Sequence, residues 1–258
     1  MRAIILAAGK GVRLNGTAGE LPKCLVKVGG LTLVERQIQA LRSAGIDQIV
    51  IVIGHGADRV REVCGPGCIY VENLEYASTN SLFSLWLARD FLTDGFVVLN
   101  ADVLFHPQLL KALLASRYED ALLIEYSDGQ AQPLGEEEMK VCVREGCVAD
   151  ISKAIDPRTA DGENVGIVKF GPTGARHLVR HMESLVANGA RRDWAPRAFR
   201  EFAREHQLRA ISTCGSPWIE IDFPEDYLKA VNDILPLIVK DELNGEPCSL
   251  AFATSGDI

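Results

Sequence analysis

The residues best able to do chemistry stand at the front of the chain, where Gly9-Lys-Gly-Val-Arg13 follows a short apolar run and Leu21-Pro-Lys23 comes shortly after. Glycines at 9 and 11 let the backbone approach phosphate oxygens and turn N–H donors toward them, and Arg13 and Lys23 bring positive charge to the same place. That set of groups suits a nucleoside triphosphate. Further on, Asp102 follows the apolar run at 96–101 and Asp222 follows the one at 218–221. A carboxylate at the end of a strand can hold a divalent cation or cap the next helix, and Asp222, just ahead of Pro224, is placed for either.

Two familiar phosphate loops are excluded. Leu14 stands where a dinucleotide fingerprint needs its third glycine, and no Gly-Lys pair is followed by the Ser or Thr of a Walker A loop. Net charge is −8 over 258 residues, which disfavours nucleic acid or an anionic membrane as partner. The apolar runs are too short for a signal core or a bilayer span. Seven scattered cysteines suit free thiols in a reducing compartment. These features describe a cytoplasmic enzyme acting on small molecules, and a homodimer is compatible with all of them. Cys64 and Cys68 lack a second pair to complete a zinc site, and His177 and His181 read as a solvated helix face.

The elements that must position these groups follow from period. Short apolar runs at 3–6, 48–53, 68–72, 96–99 and 121–125 alternate with helical patterns at 33–43, 81–91 and 107–116. This βαβ rhythm predicts an α/β fold, a Rossmann-like, mainly parallel mixed sheet flanked by helices, with ligands beyond the carboxyl ends of the strands. After residue 128 the rhythm changes. A hairpin is expected over 139–151 around Arg144-Glu-Gly146, a strand at 164–170, helices at 172–187 and 194–205, strands at 208–213 and 218–221, and a last helix from Pro224 to near Val239. One domain, 1–239, is expected, with its core in 1–128 and 206–239 and a small lid subdomain in 129–205. Residues 240–258 read as a flexible tail.

The pattern L-A-A-G-x-G-x-R followed by L-P-K resembles the nucleotidyltransferases that join a nucleoside triphosphate to a phosphorylated small molecule. Tyr76-x-x-x-Asn80-x-x-x-Ser84-Leu85, Asp193-Trp194 and Glu220-Ile-Asp222-x-x-x-Asp226-Tyr227 narrow the likeness. Together they resemble the bacterial phosphocholine cytidylyltransferases and the enzymes that activate 2-aminoethylphosphonate, over roughly residues 1–236. The resemblance implies the nucleotide-diphospho-sugar transferase fold, with CTP as co-substrate and Mg²⁺ on Asp102 and Asp222. It implies a nucleotide site of Leu6, Ala8, Gly9, Gly11, Arg13, Lys23, Tyr76, Ser78, Thr79, Asn80 and Ser84. Arg13, Lys23 and Lys153 are the expected catalytic cations. A cationic acceptor wants π faces and carboxylates, for which Trp194, Trp218, Asp193 and Glu220 are the candidates beside Lys153. A sugar 1-phosphate acceptor and a catalytically silent nucleotide-binding subunit are the alternatives.

Overall fold

The computed structural model describes residues 1–11, 21–127 and 134–244, the last four of these as backbone. The first half contains β1 (Arg2–Ala7), a 3-10 turn (Lys23–Leu25), β2 (Lys27–Val28), β3 (Leu31–Thr32), α1 (Leu33–Ser43), β4 (Ile49–Ile53), α2 (Ala57–Cys64) and β5 (Ile69–Glu72). There follow α3 (Ser81–Leu87), β6 (Phe96–Asn100), β7 (Val103–Phe105), α4 (Pro107–Ala115) and β8 (Ala121–Tyr126). The second half contains β9 (Lys140–Arg144), β10 (Cys147–Ser152), β11 (Gly162–Phe170), α5 (Pro172–Ala187), α6 (Pro196–Glu205), β12 (Arg209–Ser212), β13 (Trp218–Glu220), α7 (Pro224–Lys229) and α8 (Leu235–Asn244).

Among the described residues nine strands form one sheet in the order β5-β4-β1-β6-β11-β8-β12-β10-β9. The first four are mutually parallel. They read as unbroken apolar runs because both faces are covered: Ala3, Ile5 and Ala7 enter one core cluster and Ile4 the other. β11 then runs antiparallel to both β6 and β8, so the sheet is mixed. Its register against β8 shifts between Asn164 and Val168, and Gly166 there has φ +81, a conformation that favours glycine. A Cβ on Gly166 would lie 2.8 Å from Asn100 Nδ2, so the bulge makes room for Asn100 at the end of β6.

A second, two-stranded ribbon joins β7 to β13, antiparallel, with Glu220 opposite Val103. It rests on a third apolar cluster, in which Val26 and Val28 meet Leu104, Ile221, Ala230 and Ile238. The C-terminal helices therefore buttress the ribbon.

The structure departs from the sequence pattern at several points. α2 has no counterpart in it, being only eight residues long and entered through Gly56 in the left-handed region. The hairpin at Arg144-Glu-Gly146 is present, with Glu145 and Gly146 both at positive φ. The last helix starts at Pro224 as expected but passes through a π-helical turn (Ala230–Ile234) and continues to Asn244, beyond Val239. The remainder of the expected tail lies outside the described residues. Within the segment 129–205, β11 sits in the middle of the sheet, which narrows any lid to the β9–β10 hairpin and the loop around Trp194. Among the described residues every cysteine is a free thiol, and no helix is long and apolar enough to cross a membrane.

Candidate active site

β1 delivers the chain to Ala8, whose carbonyl accepts the His55 N–H at 3.2 Å, and the glycine turn opens there. A Cβ on Gly9 would meet nothing within 4 Å, leaving its backbone open to a ligand. Gly11 has φ +62, and a Cβ on it would stand 2.8 Å from Lys23 Cβ, so the turn and the lysine fit only because position 11 has no side chain. Lys23 begins the 3-10 turn, in which the Leu25 N–H donates to the Pro22 carbonyl at 2.8 Å while Cys24 and Leu25 are buried. The turn is pinned to the core and the lysine head is free to face the cleft.

The ribbon brings the two aspartates together. Asp102 immediately precedes β7, Asp222 follows β13, and the Ile221 N–H donates to the Asp102 carbonyl at 3.0 Å. Gln37, buried in α1, donates from Nε2 to the carbonyls of Asn100 and Val103, both at 2.9 Å, and so clamps the turn that carries Asp102. Asp226 accepts the N–H groups of Asp222 and Phe223 at 2.9 and 2.8 Å. Asp226, at the third position of α7, thus bonds back to the start of the helix, and Asp222 borders the cleft.

Lys23 Nζ is 2.7 Å from Asp102 Oδ2 and also donates to Asp222 Oδ1. Burial pushes its pKa down, but Asp102 and Asp222 together raise it above the ordinary lysine value, so the ammonium is fully charged. Glu220 completes the group: Asp102, Glu220 and Asp222 each offer an oxygen within 4.8 Å of the others. Burial first, and then the charges of Asp102 and Asp222, push the Glu220 carboxyl up to about 8. Asp102 Oδ1 is buried and has no hydrogen-bond partner among the described residues. Three carboxyl groups gathered around one ammonium, one with a buried oxygen that has no hydrogen-bond partner among the described residues, fit the oxygen-only preference of Mg²⁺.

These residues line one cleft of about 450 Å³ at the carboxyl ends of β1 and β6. Leu6, Ala8, Gly9, Gly11, Lys23, Tyr76, Thr79, Asn80 and Ser84 all border it, as do Asp102, Asp222, Glu220, Lys153 and Trp194. Ser78, Asp193 and Trp218 do not. The Ser78 hydroxyl donates to the Glu75 carbonyl. Asp193 borders an adjoining hollow of about 230 Å³ that shares Lys153 and Trp194 with the cleft. Trp218 packs against the core, with its indole N–H donating to Glu125 at 3.1 Å. Arg13 lies outside the described residues.

Residues 3–169, well over half of the 258-residue chain, match the MobA-like NTP transferase domain. The chain belongs to that family. It is 31% identical over 230 residues to the bifunctional IPC transferase and DIPP synthase of Rubrobacter xylanophilus, a match covering 87% of this chain and 50% of that protein. It is 36% identical over 121 residues to the choline-phosphate cytidylyltransferase of Streptococcus pneumoniae, covering 46% and 52%. The matched segments thus span about half the length of these two curated relatives. The inositol-1-phosphate CTP transferase from T. maritima has the same nucleotide-diphospho-sugar transferase fold, with a TM-score of 0.74 at 23% identity over 96% of this chain and 98% of that one.

Several groups in this MobA-like NTP transferase escaped the sequence pattern. Asn73, buried at the wall of the cleft, donates from Nδ2 to the Thr79 and Ser84 hydroxyls at 3.0 and 3.1 Å and so fixes two of the expected nucleotide contacts. Lys10 borders the cleft with its ammonium 5.6 Å from the centre of the Tyr76 ring. Buried Lys140 donates to the Lys153 carbonyl at 2.9 Å and fixes the backbone of that residue. Glu163, beside it, is pushed up to about 7 by burial and then by Glu138 and Glu125. A lysine or asparagine inside a strand or loop carries no sequence signal of this kind; only the packing reveals it.

Proposed function

We propose that this MobA-like NTP transferase is a cytidylyltransferase, transferring CMP from CTP to a small phosphate or phosphonate that carries an amine or quaternary ammonium. The observation that carries the reading is the juxtaposition of Lys23, Asp102 and Asp222 at the mouth of the glycine turn. An acceptor oxygen attacks the α-phosphorus of CTP, the new P–O bond forms as the bond to the β-phosphate oxygen breaks, and pyrophosphate leaves. No covalent enzyme intermediate is needed, so the protein's work is positioning and charge stabilisation.

The backbone of Gly9 and Gly11 would hold the triphosphate, with Lys23 and Arg13 neutralising it. Thr79, Asn80 and Ser84 offer hydrogen bonds to the base and ribose. Asp102 and Asp222, with Glu220 beside them, would hold Mg²⁺, which when bound offsets charge on the phosphates. Lys23 Nζ would then exchange its carboxylate partners for phosphate oxygens. On the acceptor side, Trp194 is 47% exposed and its ring carries Lys153 Nζ at 5.0 Å, while Lys153 pairs with Glu137 at 3.2 Å. A zwitterionic acceptor would satisfy both: its phosphate takes the lysine and its cation takes the ring and the carboxylates.

A second reading keeps the CTP chemistry and gives the acceptor a polyol or sugar phosphate. The likeness to the inositol-1-phosphate CTP transferase favours it. Pyrophosphate release measured with four NTPs crossed against phosphocholine, 2-aminoethylphosphonate, inositol 1-phosphate and a hexose 1-phosphate separates the readings. Best turnover with CTP and an amine-bearing acceptor is expected. Preference for a neutral polyol phosphate would favour the second reading, and absence of turnover with all of them the silent subunit.

A further inference from the structure

Three of the five histidines of the chain gather where α5 meets α6. His177 and His181 lie one turn apart on α5 and so share a face. His206 caps α6, directly after Glu205. The His177 and His206 rings are 4.1 Å apart between centroids, and Phe202 flanks His206 at 5.0 Å. His181 Nε2 lies 3.7 Å from Glu205 Oε2. His181, Glu205 and His206 each bring one ligand atom within 4.8 Å of the others. His206 Nε2 is buried and has no hydrogen-bond partner among the described residues. A buried ring nitrogen left in that state is costly unless something binds it.

We propose that His181, Glu205 and His206, with His177 beside them, form a second cation site, selective for a zinc-class divalent ion and separate from the nucleotide cleft. Imidazole nitrogens with one carboxylate suit zinc, whereas Mg²⁺ takes oxygen ligands, so the two clusters select different ions. Zinc–nitrogen bonds near 2.0–2.1 Å require the ligand atoms to draw together, and rotation of the largely exposed Glu205 side chain supplies that movement. The site lies at the C-terminal end of α6, where the helix dipole favours a cation. Asp120, which accepts the Gly171 N–H at 2.9 Å, lies near His206 and His177 and adds a negative charge beside them. α6 starts at Pro196, which borders the cleft beside Trp194. An ion here would tie the far end of that helix to α5 and hold the acceptor wall in place.

Calorimetric titration of the full chain with Zn²⁺, in excess Mg²⁺ to occupy the catalytic carboxylates, tests the site. One equivalent should bind to the unmodified protein and to the Asp102→Asn/Asp222→Asn double variant. Affinity should fall in His181→Asn and Glu205→Gln by more than the ~10–100-fold that outer-shell changes cost. Glu205→Gln changes an exposed side chain and leaves the fold unaffected. Co²⁺ added to the unmodified protein gives an independent readout, in which intense visible bands of a four-coordinate ion support the site and a weak six-coordinate spectrum overturns it. Zinc binding that survives both cluster substitutions, or that is lost with the aspartate pair, also overturns it.

Discussion

The Ile221 amide donates to the Asp102 carbonyl at 3.0 Å, extending the β7–β13 ladder by one rung. Both candidate metal-holding aspartates are thereby set by backbone hydrogen bonds, with Gln37 clamping one side and Asp226 the other. Charge contacts fixed in this way need no reorganisation when negative charge develops in a transition state. That makes the arrangement testable through its charges.

Lys23→Ala should lower turnover by about a hundredfold or more, since one preorganised charge contact is worth on the order of 3 kcal/mol in the transition state. It also leaves Asp102, Glu220 and Asp222 facing one another without a cation. In EDTA the variant should melt below the unmodified protein, and added Mg²⁺ should raise its Tm by more. Equal Mg²⁺ shifts in the two proteins would mean that the ion does not enter between these carboxylates.

For Asp222→Asn, the Mg²⁺ concentration giving half-maximal rate should rise and turnover fall by about a hundredfold, with CTP binding affected less. An unchanged Mg²⁺ titration would remove Asp222 from the metal site.

Stability in EDTA should depend on pH through Glu163. Its folded pKa of about 7 lies above the ordinary 4.5, so the unfolded chain gives up the proton first as pH rises. The favourable contribution is complete below about 4.5 and is lost as pH climbs through about 7. Urea titrations should show a decline across that window of on the order of 3 kcal/mol, much of it absent in Glu163→Gln. Glu220, raised to about 8, adds to the decline in the same direction. A Glu163→Gln variant that keeps the full slope would assign the effect elsewhere.

The two glycines of the turn should separate. Gly9→Ala meets open space, so Tm should hold while the KM for CTP rises. Gly11→Ala places a Cβ at φ +62 and against Lys23, costing about 1–2 kcal/mol of stability together with turnover. Identical behaviour of the two variants would contradict the geometry of the turn.

Trp194→Ala should raise the acceptor KM more than the CTP KM. A cation–π contact of about 0.5–2 kcal/mol corresponds to several-fold up to roughly thirtyfold. A rise confined to CTP would move Trp194 to the nucleotide side.

The parallel strands were legible because residues buried on both faces leave unbroken apolar runs, and the glycine turn because its two cations follow at fixed spacing. Asp102 and Asp222 could be read as strand-end carboxylates, but nothing in the sequence says that β13 pairs with β7. That pairing also sets Glu220 beside Asp102 and Asp222. Trp218 shows the opposite failure. Its position two residues before Glu220 puts both on one face of β13, yet Trp218 packs against the core and donates its N–H to Glu125, and so does not border the cleft. Asn73, Gln37 and Lys140 act through buried contacts between distant segments, which composition and period do not encode.

During synthesis the four parallel strands emerge well before β11, the antiparallel strand that separates β6 from β8. Until residues 162–170 are made, β6 has one open edge with apolar residues on both faces. At ~5–20 residues per second that interval lasts on the order of 3–14 s. An open, apolar edge is a template for pairing with another chain. The half-made domain is thus most exposed to aggregation on the ribosome, and the insertion of β11 closes that window.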